Sequence, residues 1–570
     1  MKEVTLKSFS KDNKIIIIII LTISVFLITF ISTYEKDDYS SIIKESRNLI
    51  TSVMTQEKIS GLAIAIIDEN EIIWAEGFGY TDFSKERPVT PETIFSVQSM
   101  SKTITATTEM IAVQDGLIDL DKPISTYLPS FTVNSRFDEK PQEKITIRNL
   151  LSCTAGFTQE APVGNNIYPE TPSFEAHIAS ISDTWLRYPV GQRYCYSNLG
   201  IDLAGYILQF KSGKPFPDYV KEKLLGPIQM KTSTFDIGVI KKNQNRAIGH
   251  STNISNVPLE VPMIPSGGFY SNVLDLSRFA QFHLNRGKIN GKSIIRTELL
   301  DEMYTIPYPV NGQYEGYALG IVKVWNDKFN TFYYNHSGGG FGFLANIVWY
   351  PDYGTGLIIL TNSDNNTTQS QLTNQIMDSL LKLKQPKNNS TVNVGNIKDV
   401  STSINLSDLE KYAGRYLGRS GQLIVTDDTP ITFIFNNNDS YRGKFISPDV
   451  YQLGKNYYQF MPADKTPAYI VRINDGINWD YNDGPNDQPG PAKQEWENYT
   501  GTYMAQLWGQ IPVKGSIVLI NGYLYYIDPN GLQSKLIEYE PGLFFISTGE
   551  CLDFRGATPM FSNIHVQKVN

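Results

Sequence analysis

The sequence predicts a mixed α/β domain whose first and last segments share a sheet, followed by an all-β, barrel-like tail and preceded by a transmembrane helix. Three observations carry this. Strand-like apolar runs lie at residues 62–67 and 72–78 and again at 343–350 and 356–361, with helical patterns between them. Beyond residue 400 the chain repeats a Glu-x-Tyr-x-Gly-x-Tyr pattern, at Glu410 to Tyr416 and at Glu497 to Tyr503. At the other end, Lys2, Lys7, Lys11 and Lys14 precede an apolar run over residues 15–31, and Glu35, Asp37 and Asp38 follow it.

The elements follow in chain order. Basic residues before the apolar run keep that end cytoplasmic and place the remainder outside the cell. A signal anchor over residues 1–35 and a cleaved signal peptide both fit; the missing small-x-small cleavage site favours the anchor. Ile42, Ile43, Leu49 and Ile50 recur at helical spacing over residues 40–54. Residues 62–67 and 72–78 flank Asp68-Glu69-Asn70 and read as a hairpin. Residues 100–114 read as a helix that Gly116 stops. Short helices and Pro- or Gly-containing loops fill residues 120–307, and a last helix covers residues 368–384.

Residues 387–403, rich in Asn, Ser and Lys, read as a linker. The expected division is therefore a stub and anchor at 1–35, a catalytic domain at 36–386, a linker at 387–403, and β units at 404–493 and 494–570. Gly421-Gln422 and Gly509-Gln510 follow the two repeat motifs, and each unit closes on itself or on its twin.

Composition narrows the function. The chain of 570 residues is 41% hydrophobic and 19% charged, an ordinary globular balance. A net charge of −8 without a basic tract past the N-terminus argues against nucleic acid as a partner. Cys153, Cys195 and Cys551 are too few and too far apart for a disulfide framework or a zinc site. His177, His250, His283, His336 and His565 do not cluster. Neither a Gly-x-Ser-x-Gly elbow nor a His-Glu-x-x-His helix occurs, and no cofactor is expected.

Ser-x-x-Lys occurs four times, at Ser8–Lys11, Ser41–Lys44, Ser99–Lys102 and Ser379–Lys382. Only Ser99–Lys102 follows a strand-like stretch, Ile94-Phe95-Ser96-Val97, and opens a helix. Residues three apart share a helix face, so Ser99 and Lys102 become neighbours. Free N–H groups at the helix start favour an anionic intermediate. A serine hydroxyl needs a base to take its proton, and lysine serves when its surroundings favour the neutral amine. Taken alone, the pair also reads as a helix cap beside a solvated lysine.

Two further segments add chemistry. Tyr196-Ser197-Asn198 precedes a helical pattern; a phenol near a lysine can carry protons, and an amide can orient a substrate carbonyl. His336-Ser337-Gly338-Gly339-Gly340 lies between strand-like runs at residues 332–334 and 343–349, where glycines let substrate lie against the backbone. Alone, the glycines also read as a bulge or turn, and His336 as a strand-end histidine.

In that order, Ser99-Met100-Ser101-Lys102, Tyr196-Ser197-Asn198 and His336-Ser337-Gly338 resemble the three motifs of serine β-lactamases and penicillin-binding proteins, in the form of the class C-related branch. Residues 116–124, 147–152 and 266–271 agree, and the resemblance covers residues 48–385. It implies an antiparallel sheet flanked by helices and a two-step acyl transfer. In that scheme Ser99 is acylated, Lys102 is its base and Tyr196 assists proton transfer to the leaving group. Asn198 binds the substrate amide, and His336 stabilises substrate or transition state. The N–H groups of Ser99 and Gly339 form the oxyanion hole, with Gly338 beside it.

The branch includes D-amino-acid peptidases, carboxypeptidases and esterases, so a small molecule or peptide is the implied substrate, including cell-wall peptides. A β-lactam or peptidoglycan receptor with little turnover is the alternative. This chain departs from relatives at Cys153 and Ala155, where His-Thr-Ser-Gly is usual, at Cys195, and at His336 in place of lysine. Cys195 reads as a small packing residue or as a reactive thiol near the site. The repeated tail resembles the lipocalin-like domains that follow the catalytic domain in D-aminopeptidase-like members, where the tail can cover the site. A separate stabilising module is the other reading.

Overall fold

Leu62, Ile64 and Ile66 point to one face of a sheet and Ala63, Ala65 and Ile67 to the other, and each set is buried in its own apolar cluster. This period of two is the signature of a strand covered on both faces. It organises the α/β domain in the computed structural model. The structure describes residues 38–569 apart from 169, 252–253, 255–256, 262, 308–312, 365, 389–411, 419–420, 427–430, 436–438, 448, 462–467 and 484–489. The expected anchor at 1–35 and nearly all of the expected linker lie outside the described residues. Among the described residues no helix is long and apolar enough to cross a membrane.

The principal elements are helix α1 (Ser40–Gln56), strands β1 (Gly61–Asp68) and β2 (Glu71–Gly79), and helices α2 (Ser101–Gln114), α3 (Asn198–Ser212) and α4 (Val273–Leu284). Strands β3 (Gly316–Tyr317), β4 (Val322–Asn326), β5 (Thr331–Gly340), β6 (Phe343–Tyr350) and β7 (Thr355–Thr361) and helix α5 (Asn366–Leu383) complete the domain. The seven strands form one sheet in the order β2-β1-β7-β6-β5-β4-β3, and every neighbouring pair is antiparallel. The first and last strands do share this sheet: Leu62 pairs with Thr361 and Asp68 with Thr355.

Helices α1 and α5 cover one face through Ile42, Ile50, Leu372, Ile376 and Leu380. The other face carries the larger core, where α4 places Phe279 against Trp349 at 6.4 Å between ring centroids. Each such fully buried side chain contributes about 1.5–3 kcal/mol over its exposed state. Helix α2 runs through this core and is buried on every side from Ser101 to Ala112, as expected for an interior helix.

One sequence reading needs correction. His336-Ser337-Gly338-Gly339-Gly340 is not a connection between two strands but the second half of β5 itself, paired residue by residue with β6. Gly338 permits this by having no side chain: a Cβ there would lie 2.0 Å from the Val97 carbonyl oxygen.

The tail contains two β units. In the first, nine strands form one sheet in which Gly414–Gly418 pairs with Trp479–Asn482, the last strand of the unit. Its two edge strands, Ser440–Arg442 and Lys444–Ser447, are separated in sequence by Gly443 alone. The second unit has two five-stranded sheets, and its first strand, Gly501–Leu507, pairs with its last, Gln567–Val569. The repeat motif has one structural meaning in both units. Tyr416 donates its hydroxyl hydrogen to the Tyr412 carbonyl at 3.0 Å, and Tyr503 to the Tyr499 carbonyl at 2.8 Å. The glycine between them, Gly414 or Gly501, opens the first strand at a φ of +149° or +138°.

Candidate active site

Ser99 lies in a single 3-10 turn, Gln98–Met100, that runs directly into α2. The turn is held from two sides. The Val97 N–H donates to the Phe269 carbonyl, and the Ser101 hydroxyl accepts from the Phe269 N–H while donating to the Gln98 carbonyl. Just before the serine, Gln98 adopts a φ of +50°, uncommon for a non-glycine residue and concentrated at functional sites.

Lys102 is fully buried, and its side-chain nitrogen lies 3.1 Å from the Ser99 hydroxyl and 2.9 Å from the Ser266 carbonyl. The Tyr196 ring lies 4.9 Å from the same nitrogen. Ser99, Lys102 and Tyr196 therefore converge. The other described Ser-x-x-Lys pairs do not resemble them: Ser41 and Lys44 are exposed on α1, and Lys382 is paired with Asp378 at the surface.

Ser197 caps α3 by accepting from the Gly200 N–H, which fixes Tyr196 before the helix and Asn198 as its first residue. The loop of residues 158–160 supports this motif. The Ser197 hydroxyl donates to the Thr158 carbonyl, the Asn198 N–H to the Gln159 carbonyl, and the Asn198 side-chain amide to the Glu160 carboxylate at 2.8 Å. Burial raises the Glu160 carboxyl above its ordinary pKa, against the opposing pull of Asn166, Asn198 and Lys102.

His336 is buried behind the site. Its Nδ1 is 2.7 Å from the Ser337 carbonyl, which can only accept, so Nδ1 carries the hydrogen and Nε2 accepts from the Tyr317 hydroxyl at 3.2 Å. Burial, reinforced by the Lys102 charge, depresses its pKa to about 3. His336 is thus a neutral imidazole and cannot replace the charge of a lysine. Gly338 brings β5 alongside the serine: a Cβ at this position would also lie 3.0 Å from the Ser99 nitrogen. Strand β4 pairs with β5 only as far as Asn335, so Gly338 and Gly339 have a sheet partner on the β6 side alone.

Three contributors had no sequence signal. Tyr317 joins the motifs, with its ring 5.2 Å from Tyr194, 6.3 Å from Tyr196 and 5.9 Å from His336. Glu160 holds Asn198. Asp202, on the α3 helix, accepts from the N–H and hydroxyl of Ser266 and from His177, and so steadies the carbonyl that orients Lys102. Burial opposes charging of His177, but Asp202 and the Val163 carbonyl outweigh it and raise its pKa. Cys195 is buried, donates to the Phe157 carbonyl, and has its thiol pKa raised by burial; these are the marks of a packing residue. Among the described residues no cluster of His, Cys, Asp and Glu is arranged to hold a metal ion.

The tail reaches this site. Asn563 donates its side-chain amide to the Thr158 hydroxyl and the Glu160 carbonyl, at 3.1 and 3.0 Å. Trp508 donates its backbone N–H to the Ile167 carbonyl and sets its ring 4.4 Å from Phe341, which follows the β5 glycines.

An antiparallel sheet with a serine–lysine pair beside a glycine-rich strand defines the class of fold shared by β-lactamases and penicillin-binding proteins. The family model described as Beta-lactamase matches residues 47–382, more than half of the chain, and the chain belongs to that family. A β-lactamase of Providencia stuartii is 25% identical over 349 residues, covering 56% of this chain and 86% of the relative. Protein flp of Staphylococcus aureus (strain MW2) is 26% identical over 309 residues; the match covers 53% of this chain and 60% of the length of that relative. Two solved structures share the fold. The octameric penicillin-binding protein homologue from Pyrococcus abyssi has a TM-score of 0.52 at 24% identity, covering 77% of this chain and 99% of the other. SurE with D-Leu has a TM-score of 0.54 at 20% identity, with the same coverage.

Proposed function

We propose that the chain is a serine hydrolase that forms an acyl-enzyme at Ser99 and releases it to water, cleaving peptide, amide or ester bonds. The observation that carries this reading is the buried Lys102 nitrogen 3.1 Å from the Ser99 hydroxyl. In this mechanism the Ser99 oxygen attacks the substrate carbonyl carbon as its proton passes to Lys102. The oxyanion is received by the N–H groups of Ser99 and Gly339. Tyr196 delivers a proton to the departing amine or alcohol, and Asn198, held by Glu160, binds the substrate amide. His336 acts as a neutral acceptor that fixes Tyr317 against Tyr196, not as a charge for a substrate carboxylate. Water then hydrolyses the ester by the reverse proton path.

Relatives named as a β-lactamase and a penicillin-binding protein homologue, together with the structure containing D-Leu, support small peptides and their analogues as substrates, including cell-wall peptides. The lysines preceding the apolar run support a catalytic domain outside the cell, tethered through residues 1–35.

The test is covalent labelling of the full chain with a fluorophosphonate, read by intact mass and peptide mapping, with Ser99→Ala beside it. Labelling at Ser99 that vanishes in the variant is expected. A folded wild-type chain that takes no label refutes the hydrolase reading, and label on another serine refutes the assignment.

A further inference from the structure

His177 is fully buried on the short helix Phe174–Ser180, and each of its ring nitrogens faces an acceptor. Nδ1 is 2.8 Å from the Val163 carbonyl, and Nε2 is 3.1 Å from the Asp202 carboxylate, whose side chain is equally inaccessible. A neutral imidazole carries one hydrogen and can meet only one of these partners; the imidazolium, with a hydrogen on each nitrogen, meets both. His336 shows the contrast, since a carbonyl on one side and a hydroxyl on the other satisfy a neutral ring. The charged groups acting on His177 are Asp202 on α3 and Glu160 on the preceding loop, and both favour the cation.

The loop around Val163 is shaped to take this contact. Gly164 turns at a φ of +70°, and a Cβ there would lie 3.1 Å from the His177 Nδ1. The same short helix holds Val163 a second time, because the Val163 N–H donates to the Ser180 hydroxyl at 3.3 Å. Two paths then lead from the ring to the reacting centre. Through Val163 it fixes the loop whose Glu160 accepts from Asn198. Through Asp202 it reaches Ser266, whose N–H and hydroxyl donate to the same carboxylate and whose carbonyl accepts from Lys102 at 2.9 Å. Asp202 lies one turn beyond Asn198 on the same face of α3, so the two paths meet on one helix.

We propose that His177 is a positioning residue: as a buried imidazolium it clamps the Val163 loop to Asp202, and so holds Lys102 against Ser99 and Asn198 in its binding position together. It touches no reacting atom. This role rests on the reading of Ser99 as nucleophile and deepens it, because the geometry of the base then depends on a proton held outside the reacting groups. When that proton leaves, one of the two bonds is unmade, and either the Val163 loop or the Asp202–Ser266 path loses its anchor. A displacement of the base by about 1 Å is enough to slow such a reaction on the order of a hundredfold.

The experiment follows the rate of fluorophosphonate labelling at Ser99 in the folded full-length chain from pH 6 to pH 10, for the wild type, His177→Asn and His177→Gln. The asparagine amide can replace Nδ1 and keep the Val163 bond alone; the glutamine amide can replace Nε2 and keep the Asp202 bond alone. Ionisation of the reacting groups is common to all three proteins and divides out of their ratios. The wild type is expected to label roughly tenfold faster than His177→Asn at pH 6, with the advantage shrinking as pH rises and His177 loses its proton. His177→Gln, which keeps the path to Lys102, is expected to lie between them. Asp202→Asn removes the charge and keeps the shape; it is expected to show the same shrinking deficit and serves if neither histidine variant folds. Labelling at the wild-type rate at pH 6, or a lag that is the same at every pH, overturns the proposal. If the wild type itself takes no label, the hydrolase reading fails and melting points report the clamp by themselves. The advantage of the wild type over His177→Gln is then expected in full below the ordinary histidine value of 6.5 and lost as pH rises through the raised folded value, and an advantage that does not vary with pH overturns the clamp.

Discussion

Glu109 lies two turns beyond Lys102 on α2, fully buried, and among the described residues neither carboxylate oxygen has a hydrogen-bond partner. Burial raises its pKa well above the ordinary 4.5, so the folded protein holds a proton that the unfolded chain releases. A raised folded pKa stabilises fully below the unfolded value and loses that contribution as pH rises through the folded value. Glu109→Gln should therefore gain in thermal midpoint over the wild type as pH rises from 5 to 9, with little difference at pH 4. Melting curves for both proteins across that range decide the matter, and a difference that does not vary with pH would sink the account. The same residue marks the limit of sequence reading. Ser99 and Lys102 are legible because three residues is a distance the helix itself fixes. Glu109, Tyr317 and Glu160 carry no such signal, since their meaning comes from what packs around them.

At the scale of elements, the site is built where β5 runs alongside the turn that carries Ser99. The sequence showed glycines and a histidine at this point, and either a turn or a strand would have suited them. The close approach of Val97 selects the strand, because a chain that must pass its neighbour's backbone at contact distance has no room for a side chain. Gly338→Ala tests this directly. Its methyl would meet the Val97 carbonyl at 2.0 Å and the Ser99 nitrogen at 3.0 Å, and backbone cannot swing aside as a flexible side chain can. We expect a loss of roughly 1–3 kcal/mol of stability, the usual cost of overpacking. Fluorophosphonate labelling should fall at least tenfold in the fraction that remains folded. Normal labelling with a lowered melting point would show that β5 supports the fold but does not set the serine. The hairpin β1–β2 and the sharing of one sheet by the first and last strands were legible in advance because continuous apolar runs bounded by turn residues mark strands buried on both faces, as β1 and β7 are; the order of the strands was not, since it depends on partners distant in sequence.

For the whole molecule the question is how the tail bears on the chemistry. The repeat motif was visible in the chain, and its two tyrosine-to-carbonyl bonds explain why the spacing recurs. Nothing in the sequence indicated that Asn563, near the end of the second unit, would bond to the loop beneath Asn198. Deleting the tail is a blunt test, because Tyr188, Cys195, Tyr469, Val471, Trp479 and Tyr481 form one apolar cluster across the junction, and removing its four tail members exposes Tyr188 and Cys195. A single substitution is sharper. Asn563 has a φ of +70°, a conformation asparagine tolerates and glycine adopts freely, so Asn563→Gly keeps the backbone and removes only the donor. Two hydrogen bonds, to Thr158 and Glu160, disappear, and each normally contributes about 0.5–1.5 kcal/mol net. The melting point should fall modestly. The rate of Ser99 labelling should fall further than stability requires, about three- to tenfold, because Glu160 then holds Asn198 less firmly. If labelling proceeds at the wild-type rate while the melting point drops, the tail stabilises this loop without serving catalysis. If both fall together and Glu160→Gln reproduces the kinetic loss with Asn563 intact, the path from tail to active site runs through Glu160.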